Sequence, residues 1–496
     1  MKHAIGLLLC IFIFSFTQAQ TRSYKRGLCF NTLMEEDVEV LSQGVSWAYN
    51  WGHGGSGVDA AFESNDFEYV PMAWSGLNKS TIRNYLRAHP NVKYILGFNE
   101  PNFGDQANMG PAAAAARWGD IEEIADEFGL TIVGPAVNYA GANAVVENGI
   151  AYTDPVRYLE DFFKACPDCR VDHIAVHFYM GSAGAIMSSV NSFKKFKKPI
   201  WLTEFCANGT NQTERSQTKF MLETLDALET DSCVYRYAWF KERGNFATLP
   251  NMSVLDPRKE GTLKDLGKVF VHMSSYDDNF YFTLDQRIPT EHYIRMSRIN
   301  MEATTDISDN INAYDMGTAS WLDYNVDIPE AGEYNIFFRL AAEYDDVSII
   351  RISVDGQELG SKTIEKKGVG VWDTQQFKAN LSAGKQKIRV NFKQGGVKLN
   401  WWYISKSETP PSAGVENIAM DNDVSVYPNP VTDILHINIP NENTKVSLLD
   451  VSGKCVYSAA NVTEIDMTPF AAGMYFLDIQ GEKGKRKVEK ILKNNL

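Results

Sequence analysis

Two glutamates stand where an acid is hard to place. Glu100 sits in Gly97-Phe98-Asn99-Glu100-Pro101-Asn102, after the apolar run Val92-Lys93-Tyr94-Ile95-Leu96. Glu204 sits in Trp201-Leu202-Thr203-Glu204-Phe205, at the end of Lys198-Pro199-Ile200-Trp201-Leu202. Both runs read as strands of a core. A carboxylate carried into the end of such a strand is costly unless it is paired or used. Taken singly, each reads equally as a rim acid paired with a nearby Lys or Arg. Taken together, on different strands of one sheet, they supply the two carboxyl groups that cleavage of a glycosidic bond requires.

The elements that must position them alternate. Strand-like runs at 27–31, 45–51, 69–74, 94–99, 130–137, 173–179, 199–205 and 234–240 are separated by helix-like stretches such as 111–128 and 213–228. Ser80 reads as the N-cap of a further helix through Tyr85 and Leu86. Apolar strands alternating with helices over about 250 residues indicate an α/β fold of the (β/α)8 TIM-barrel type. A doubly wound sheet is the competing arrangement, but no Gly-rich phosphate loop follows any of these strands. In a barrel the chemistry gathers at the carboxyl ends of the strands. Glu100 closes the fourth strand and Glu204 the seventh. The other strand ends carry Trp47, Tyr49 and Trp51, then Trp74, Asn138 and Tyr139, His177 and Tyr179, and Trp239. Strand side chains alternate between faces, so some of these must be packing residues.

At 496 residues the chain is too long for one core, and about three domains are expected. Lys2 and His3, the apolar run 4–16 and Thr17-Gln18-Ala19 read as a signal peptide over residues 1–19. No later run is apolar enough for a transmembrane segment, so a soluble, exported protein is expected. The net charge of −14 disfavours nucleic acid and anionic membranes and suits a neutral polymer. Twelve per cent aromatic residues, ten of them Trp, suit stacking on sugar rings. Cysteine and histidine spacings match no zinc site. Cys166-Pro167-Asp168-Cys169 could close a small surface loop in an oxidising compartment. A Cys206–Cys233 bridge is excluded by the layout, because a strand of about six residues puts its two ends roughly 17–20 Å apart.

From about Lys25 to Met273 the chain resembles glycoside hydrolase family 128, endo-β-1,3-glucanases on a compact barrel. The matching residues are Arg26-Gly27-Leu28, Ser46-Trp47-Ala48-Tyr49-Asn50-Trp51, Val70-Pro71-Met72-Ala73-Trp74, Gly97 to Asn102, Val133-Gly134-Pro135-Ala136, His173 to Tyr179, Trp201 to Phe205 and Tyr237-Ala238-Trp239-Phe240. The resemblance implies a retaining mechanism, with Glu100 as acid/base, Glu204 as nucleophile and Asn99 on the sugar 2-hydroxyl. It implies no cofactor for catalysis. Physics then asks for a raised pKa on Glu100 and an ionised Glu204. Trp47, Tyr49, Trp51, Trp74, His177, Tyr179 and Trp239 are the candidate substrate-binding residues.

Composition turns β-rich from about His292 to Ser405. In Lys387-Ile388-Arg389-Val390-Asn391-Phe392 apolar and polar residues alternate strictly, the pattern of a β-sandwich strand. Through Met301-Glu302-Ala303, Asn312-Ala313-Tyr314-Asp315, Val371-Trp372-Asp373-Thr374 and Gly395 to Trp401, this region resembles a family 6 carbohydrate-binding module. The resemblance implies a sugar held by Tyr314, Trp372 and Asn400, and a structural calcium near the first strand, although Thr304 stands where a second acid is common. Pro410-Pro411-Ser412-Ala413-Gly414 marks a linker. Beyond it, Tyr427-Pro428-Asn429-Pro430 and Gly473-Met474-Tyr475-Phe476 resemble the type A sorting domain of the type IX secretion system.

The expected layout is a signal peptide (1–19), a barrel (20–275), a binding sandwich (290–405), a linker (406–422) and a small β-rich sorting domain (423–496). The expected protein is a secreted or cell-surface monomer whose partners are β-glucan and the type IX machinery. Cleavage of another neutral polysaccharide is the near alternative. A non-catalytic glycan binder is the far one, and it leaves two convergent acids without a purpose.

Overall fold

Pro71 breaks the third strand-like run in two. In the computed structural model, Glu68–Tyr69 pairs with Trp47–Tyr49, while Met72–Trp74 pairs with Tyr94–Phe98. Between these two strands runs a parallel sheet in the order Glu68–Tyr69, Trp47–Tyr49, Arg26–Cys29, Val234–Phe240, Ile200–Ala207, His173–Met180, Thr131–Val137, Tyr94–Phe98, Met72–Trp74. Both edges of the sheet thus belong to one short segment, and the sheet curls into a barrel-like form. Pro71 has no N–H to give, but its carbonyl accepts from Leu96 at 2.9 Å and so helps hold the curl. The description covers residues 22–494 except 56, 245, 307–310, 410–424, 439–443, 451–454 and 481–485. The expected signal peptide and most of the expected linker lie outside the described residues.

Helices follow the strands and form the outer layer. Pro111–Phe128 starts with Pro at its first turn and ends at Gly129, whose φ of 69° is the left-handed cap a side chain would strain. Thr213 caps Glu214–Thr230, accepting from the Ser216 N–H while Ser216 Oγ accepts in return. The helix expected to start at Ser80 begins at Lys79, because Asn78 accepts from the Thr81 N–H and takes the cap. Two cores result. Leu28, Ile95, Val176, Leu202, Trp239 and their neighbours pack between sheet and helices. Trp47, Tyr49, Tyr94, Leu96, Ala175, Trp201 and Ala238 fill the interior of the curl.

The region after it, within the same compact unit of residues 19–410, is a two-sheet antiparallel sandwich. One sheet runs Asn300–Ala303, Ile311–Tyr314, Val397–Ser405, Gly332–Ala342, Trp372–Leu381. The other runs Arg295–Ser297, Trp321–Ile328, Gly384–Gln394, Val347–Val354, Gln357–Glu365. Ile388, Val390 and Phe392 point inward as their alternation predicts, and Arg389 forks onto Asp323 at 2.7 and 2.9 Å. The second compact unit carries the tail. Its short strands form a three-stranded and a four-stranded sheet around Leu435, Ile437, Val446, Leu448, Leu477 and Ile479. Among the described residues no helix is long and apolar enough to cross a membrane. Cys166 and Cys169 are disulfide-bonded, whereas Cys206 and Cys233 are free thiols.

Candidate active site

Glu100 stands two residues past the end of Tyr94–Phe98, where the chain is gripped from both sides. The Asn99 N–H donates to Trp74 O at 2.7 Å and the Glu100 N–H to Ala136 O at 2.8 Å. Three residues before Glu100, a Cβ on Gly97 would come within 2.7 Å of the Trp118 ring, so only glycine lets the strand sit this close to its helix.

Glu204 reaches the interior by a different device. Trp201 already points into the curl, and strict alternation would then turn residue 204 toward the helices. The pairing of Ile200–Ala207 with both neighbours shifts between Leu202 and the residues after it. This bulge brings Glu204 back to the inner face, and its freed carbonyl at Thr203 accepts from the Tyr49 hydroxyl at 3.1 Å.

The two acids meet across His177. Its Nδ1 lies 3.0 Å from Glu100 Oε1 and 3.4 Å from Glu204 Oε2. One ligand atom from each of the three residues falls within a common span of 4.8 Å. Asn138 Nδ2 donates to Glu100 Oε1 at 2.9 Å. Glu204 Oε1 accepts from Trp51 Nε1 at 2.9 Å and from the Tyr49 hydroxyl at 3.2 Å, while Oε2 accepts from the Tyr179 hydroxyl. An indole N–H can only donate, so this cage is built for an anion.

Burial raises every carboxyl here, but the balance differs. At Glu100 the hydrogen bond and charge of His177, with Asn138, outweigh burial and hold the carboxyl below its ordinary range. At Glu204 burial wins, and the charge of Glu100 adds to it, against the pull of His177, Tyr179 and Trp51. Burial would lower His177, but the two carboxylates raise it above its usual value. Glu100 is thus pulled below and Glu204 pushed above the ordinary carboxyl range, the reverse of the sequence-based expectation for the pair. The three groups titrate as one unit.

Four of the expected aromatic and imidazole residues, Tyr49, Trp51, His177 and Tyr179, converge on the carboxylates. Asn99 is buried beside them; its Nδ2 donates to Gln106 Oε1 at 3.1 Å, and its Oδ1 has no partner among the described residues. Trp74 is half-buried against the interior cluster. Two expectations are corrected. Trp47 is fully buried deep in the interior, 4.9 Å from Trp201 and under the Arg236 guanidinium, with Nε1 donating to Lys25 O. Trp239 faces the helices, packs on Phe205 and Phe270 and donates to Met252 O at 2.8 Å. Alternation explains it: Arg236 and Ala238 face inward, so Phe240, not Trp239, reaches the cleft. Phe240 meets Trp51 at 6.1 Å, Tyr179 at 5.4 Å and the exposed Phe246 at 5.9 Å. Neither Phe240 nor Phe246 was among the expected site residues, though counting by twos from Ala238 finds the first.

In the sandwich, Trp372 is partly exposed and its Nε1 donates to Thr305 Oγ1 at 3.1 Å. Asn400 is buried and donates to Asp306 Oδ2 at 2.9 Å, an acid that the Arg339 fork also holds. Tyr314 departs from the expectation: it is 8% exposed, with the Arg215 guanidinium 5.0 Å from its ring centroid, and offers no open face. The calcium expectation does not fit either. Glu302 is taken by the Lys398 ammonium at 2.8 Å, a cation where calcium would need an unshared carboxylate.

Comparison with known proteins gives three matched regions: a glycosyl hydrolase catalytic core over residues 27–270, a carbohydrate binding module of family 6 over 290–406, and a secretion system C-terminal sorting domain over 425–494. Among solved structures, the chain is 36% identical to a glycoside hydrolase family 128 (subgroup II) endo-β-1,3-glucanase from Sorangium cellulosum. That match covers 50% of this chain and 98% of the other, with a TM-score of 0.46. The corresponding enzyme from Pseudomonas viridiflava is 34% identical over 51% and 98% of the two chains, with a TM-score of 0.45. Alkali-sensitive linkage protein 1 of Schizosaccharomyces pombe is 29% identical over 261 residues, 50% of this chain and 44% of that protein. The chain spans less than half the length of the curated relatives it matches.

Proposed function

Because the chain belongs to glycoside hydrolase family 128 by sequence identity across nearly the whole of its solved relatives, we propose that it is a secreted endo-β-1,3-glucanase that cleaves laminarin- or curdlan-type chains with retention at the anomeric carbon. The observation that carries the mechanism is the separation of the acids. Carboxylate oxygens of Glu100 and Glu204 within 4.8 Å favour the close pair of a retaining enzyme, about 5–5.5 Å, over the roughly 6.5–9.5 Å of an inverting one.

Glu204 attacks the anomeric carbon. Trp51, Tyr49 and Tyr179 fix its oxygens and, as donors, favour the ionised form against burial. Glu100 protonates the departing oxygen, and the proton comes from His177 Nδ1, 3.0 Å away. Moving that one proton turns the resting pair of carboxylates into one acid and one nucleophile without a change of net charge. In the second half Glu100 takes a proton from water, which then releases the sugar. The unpartnered Asn99 Oδ1 suits a sugar hydroxyl donor. Trp51, Trp74, Phe240 and Phe246 supply rings for the sugar faces.

The strands 68–69 and 72–74 are then halves of one, completing an eight-stranded (β/α)8 barrel. The family 6 module holds the glucan, and the sorting domain directs export to the cell surface or beyond through the type IX machinery. Digestion of a panel of neutral β-glucans, with product anomers followed by NMR from the first minute, tests the reading. β-Products from 1,3-linked chains, released as mixed internal fragments, are expected. α-Products would refute retention, and activity confined to another linkage would refute the substrate.

A further inference from the structure

Tyr314 ends the strand Ile311–Tyr314 and sits against the catalytic half of its own unit. Arg215 lies in the first turn of Glu214–Thr230, the helix that follows the Glu204 strand, so it stands on the side of the barrel where the strand ends open. Its guanidinium carbon is 5.0 Å from the Tyr314 centroid, and the same group is ion-paired with Asp315 next door. The cover is a surface one. The Arg215 side chain is 64% exposed and that of Asp315 53%, while the Tyr314 beneath is 8% exposed.

A ring with a guanidinium over one face cannot stack that face on a pyranose until the cation leaves it. An exposed ion pair and one cation–π contact are both weak, so the cover is displaceable rather than permanent. We propose that Arg215 of the catalytic half competes with the glucan for Tyr314: the binding module's ring is closed by the enzyme's own guanidinium and opens when a glucan chain seats between it and Trp372. This rests on the module binding β-glucan. Because Arg215 opens the helix that follows the Glu204 strand, a chain that displaces it is held on the face of the barrel where the strands end rather than on the opposite one.

The test uses the full chain carrying Glu204→Gln, so that nothing is hydrolysed, and a soluble β-1,3-gluco-oligosaccharide measured by calorimetry. Arg215→Ala is compared with its parent, alone and with Trp372→Ala, in 50 and 500 mM NaCl. Removing the cover tightens binding about three- to tenfold. Trp372→Ala abolishes that gain, and the difference between Arg215→Ala and its parent narrows in high salt as the ion pair is screened. Asp315→Asn, which frees the guanidinium without touching the helix, shifts affinity in the same direction. Unchanged or weaker binding in Arg215→Ala overturns the inference, as does a gain that persists without Trp372. If the parent binds no more tightly than Trp372→Ala, the module itself does not bind the glucan, and both the reading of the module and the inference fall.

Discussion

Replacing Trp51 by Phe separates two jobs that this ring performs. The hydrogen bond from Nε1 to Glu204 Oε1, at 2.9 Å, is lost, while the edge contacts with Tyr49 at 5.4 Å and Phe240 at 6.1 Å are kept. A hydrogen bond to a charged group is worth about 1.5–3 kcal/mol. At 1.36 kcal/mol per unit, that is about one to two pKa units on the acid that receives it. The donor favours the ionised form, so its removal raises a carboxyl that burial already holds above its ordinary value. In the proposed mechanism Glu204 must be ionised to attack, and the acid limb of kcat/KM, which reports the free enzyme, therefore moves to higher pH by about one to two units. The basic limb moves less, because His177 and Glu100 keep their partners. The assay is reducing-sugar release from β-1,3-gluco-oligosaccharides across the pH range. An acid limb that stays in place while KM rises would mean that Trp51 only stacks on sugar. A limb that moves to lower pH would refute the claim that the indole stabilises the carboxylate.

Glu100→Ala should lose turnover on natural glucan but recover on substrates whose leaving group needs no proton, or with added azide; equal losses on both substrate kinds would remove Glu100 from the acid role. Trp372→Ala should weaken retention on insoluble glucan by about 1–3 kcal/mol and leave hydrolysis of short oligosaccharides unchanged, which pull-down and rate assays decide together. Trp47→Ala should cost about 3–5 kcal/mol of stability in denaturant melts, and any folded enzyme that remains should keep its KM, since the ring packs below the cleft. Deleting the tail from Asp423 should leave the purified enzyme active while activity disappears from outside the cells that express it. Normal export of the shortened chain would overturn the sorting role.

Periodicity made most of the fold legible. Helices showed through their apolar spacing, and the strand Gly384–Gln394 through its alternation, because each buries one face against one partner. The closing segment was harder. Pro71 makes it look like one run with a flaw, and only the pairing partners reveal that its halves hold opposite edges of the sheet. Local capping was missed by two residues at Lys79–Ala88, since Asn78 and Ser80 are both good caps and the choice depends on which N–H the backbone presents.

The site was legible where chemistry is carried by residue type and obscure where it is carried by direction. Glu100, Glu204 and His177 are conspicuous because charged groups are seldom buried without cause. Whether a neighbouring aromatic joins them is set by the parity of its position on the strand, and parity survives only if no bulge intervenes. From Arg236 to Phe240 it survives, and it places Phe240 in the cleft and Trp239 behind it. On Ile200–Ala207 it does not, and strict counting from the inward Trp201 would have sent Glu204 into the helix layer. That bulge leaves no mark in the sequence, since Leu202-Thr203 could serve equally in a regular strand. It is also what permits a large ring to plug the interior and an acid to face the cleft on the same strand, three residues apart. Restoring regular pairing there would exchange Glu204 for Thr203 at the inner face, so the catalysis proposed here depends on one irregular residue as much as on the carboxylate that follows it.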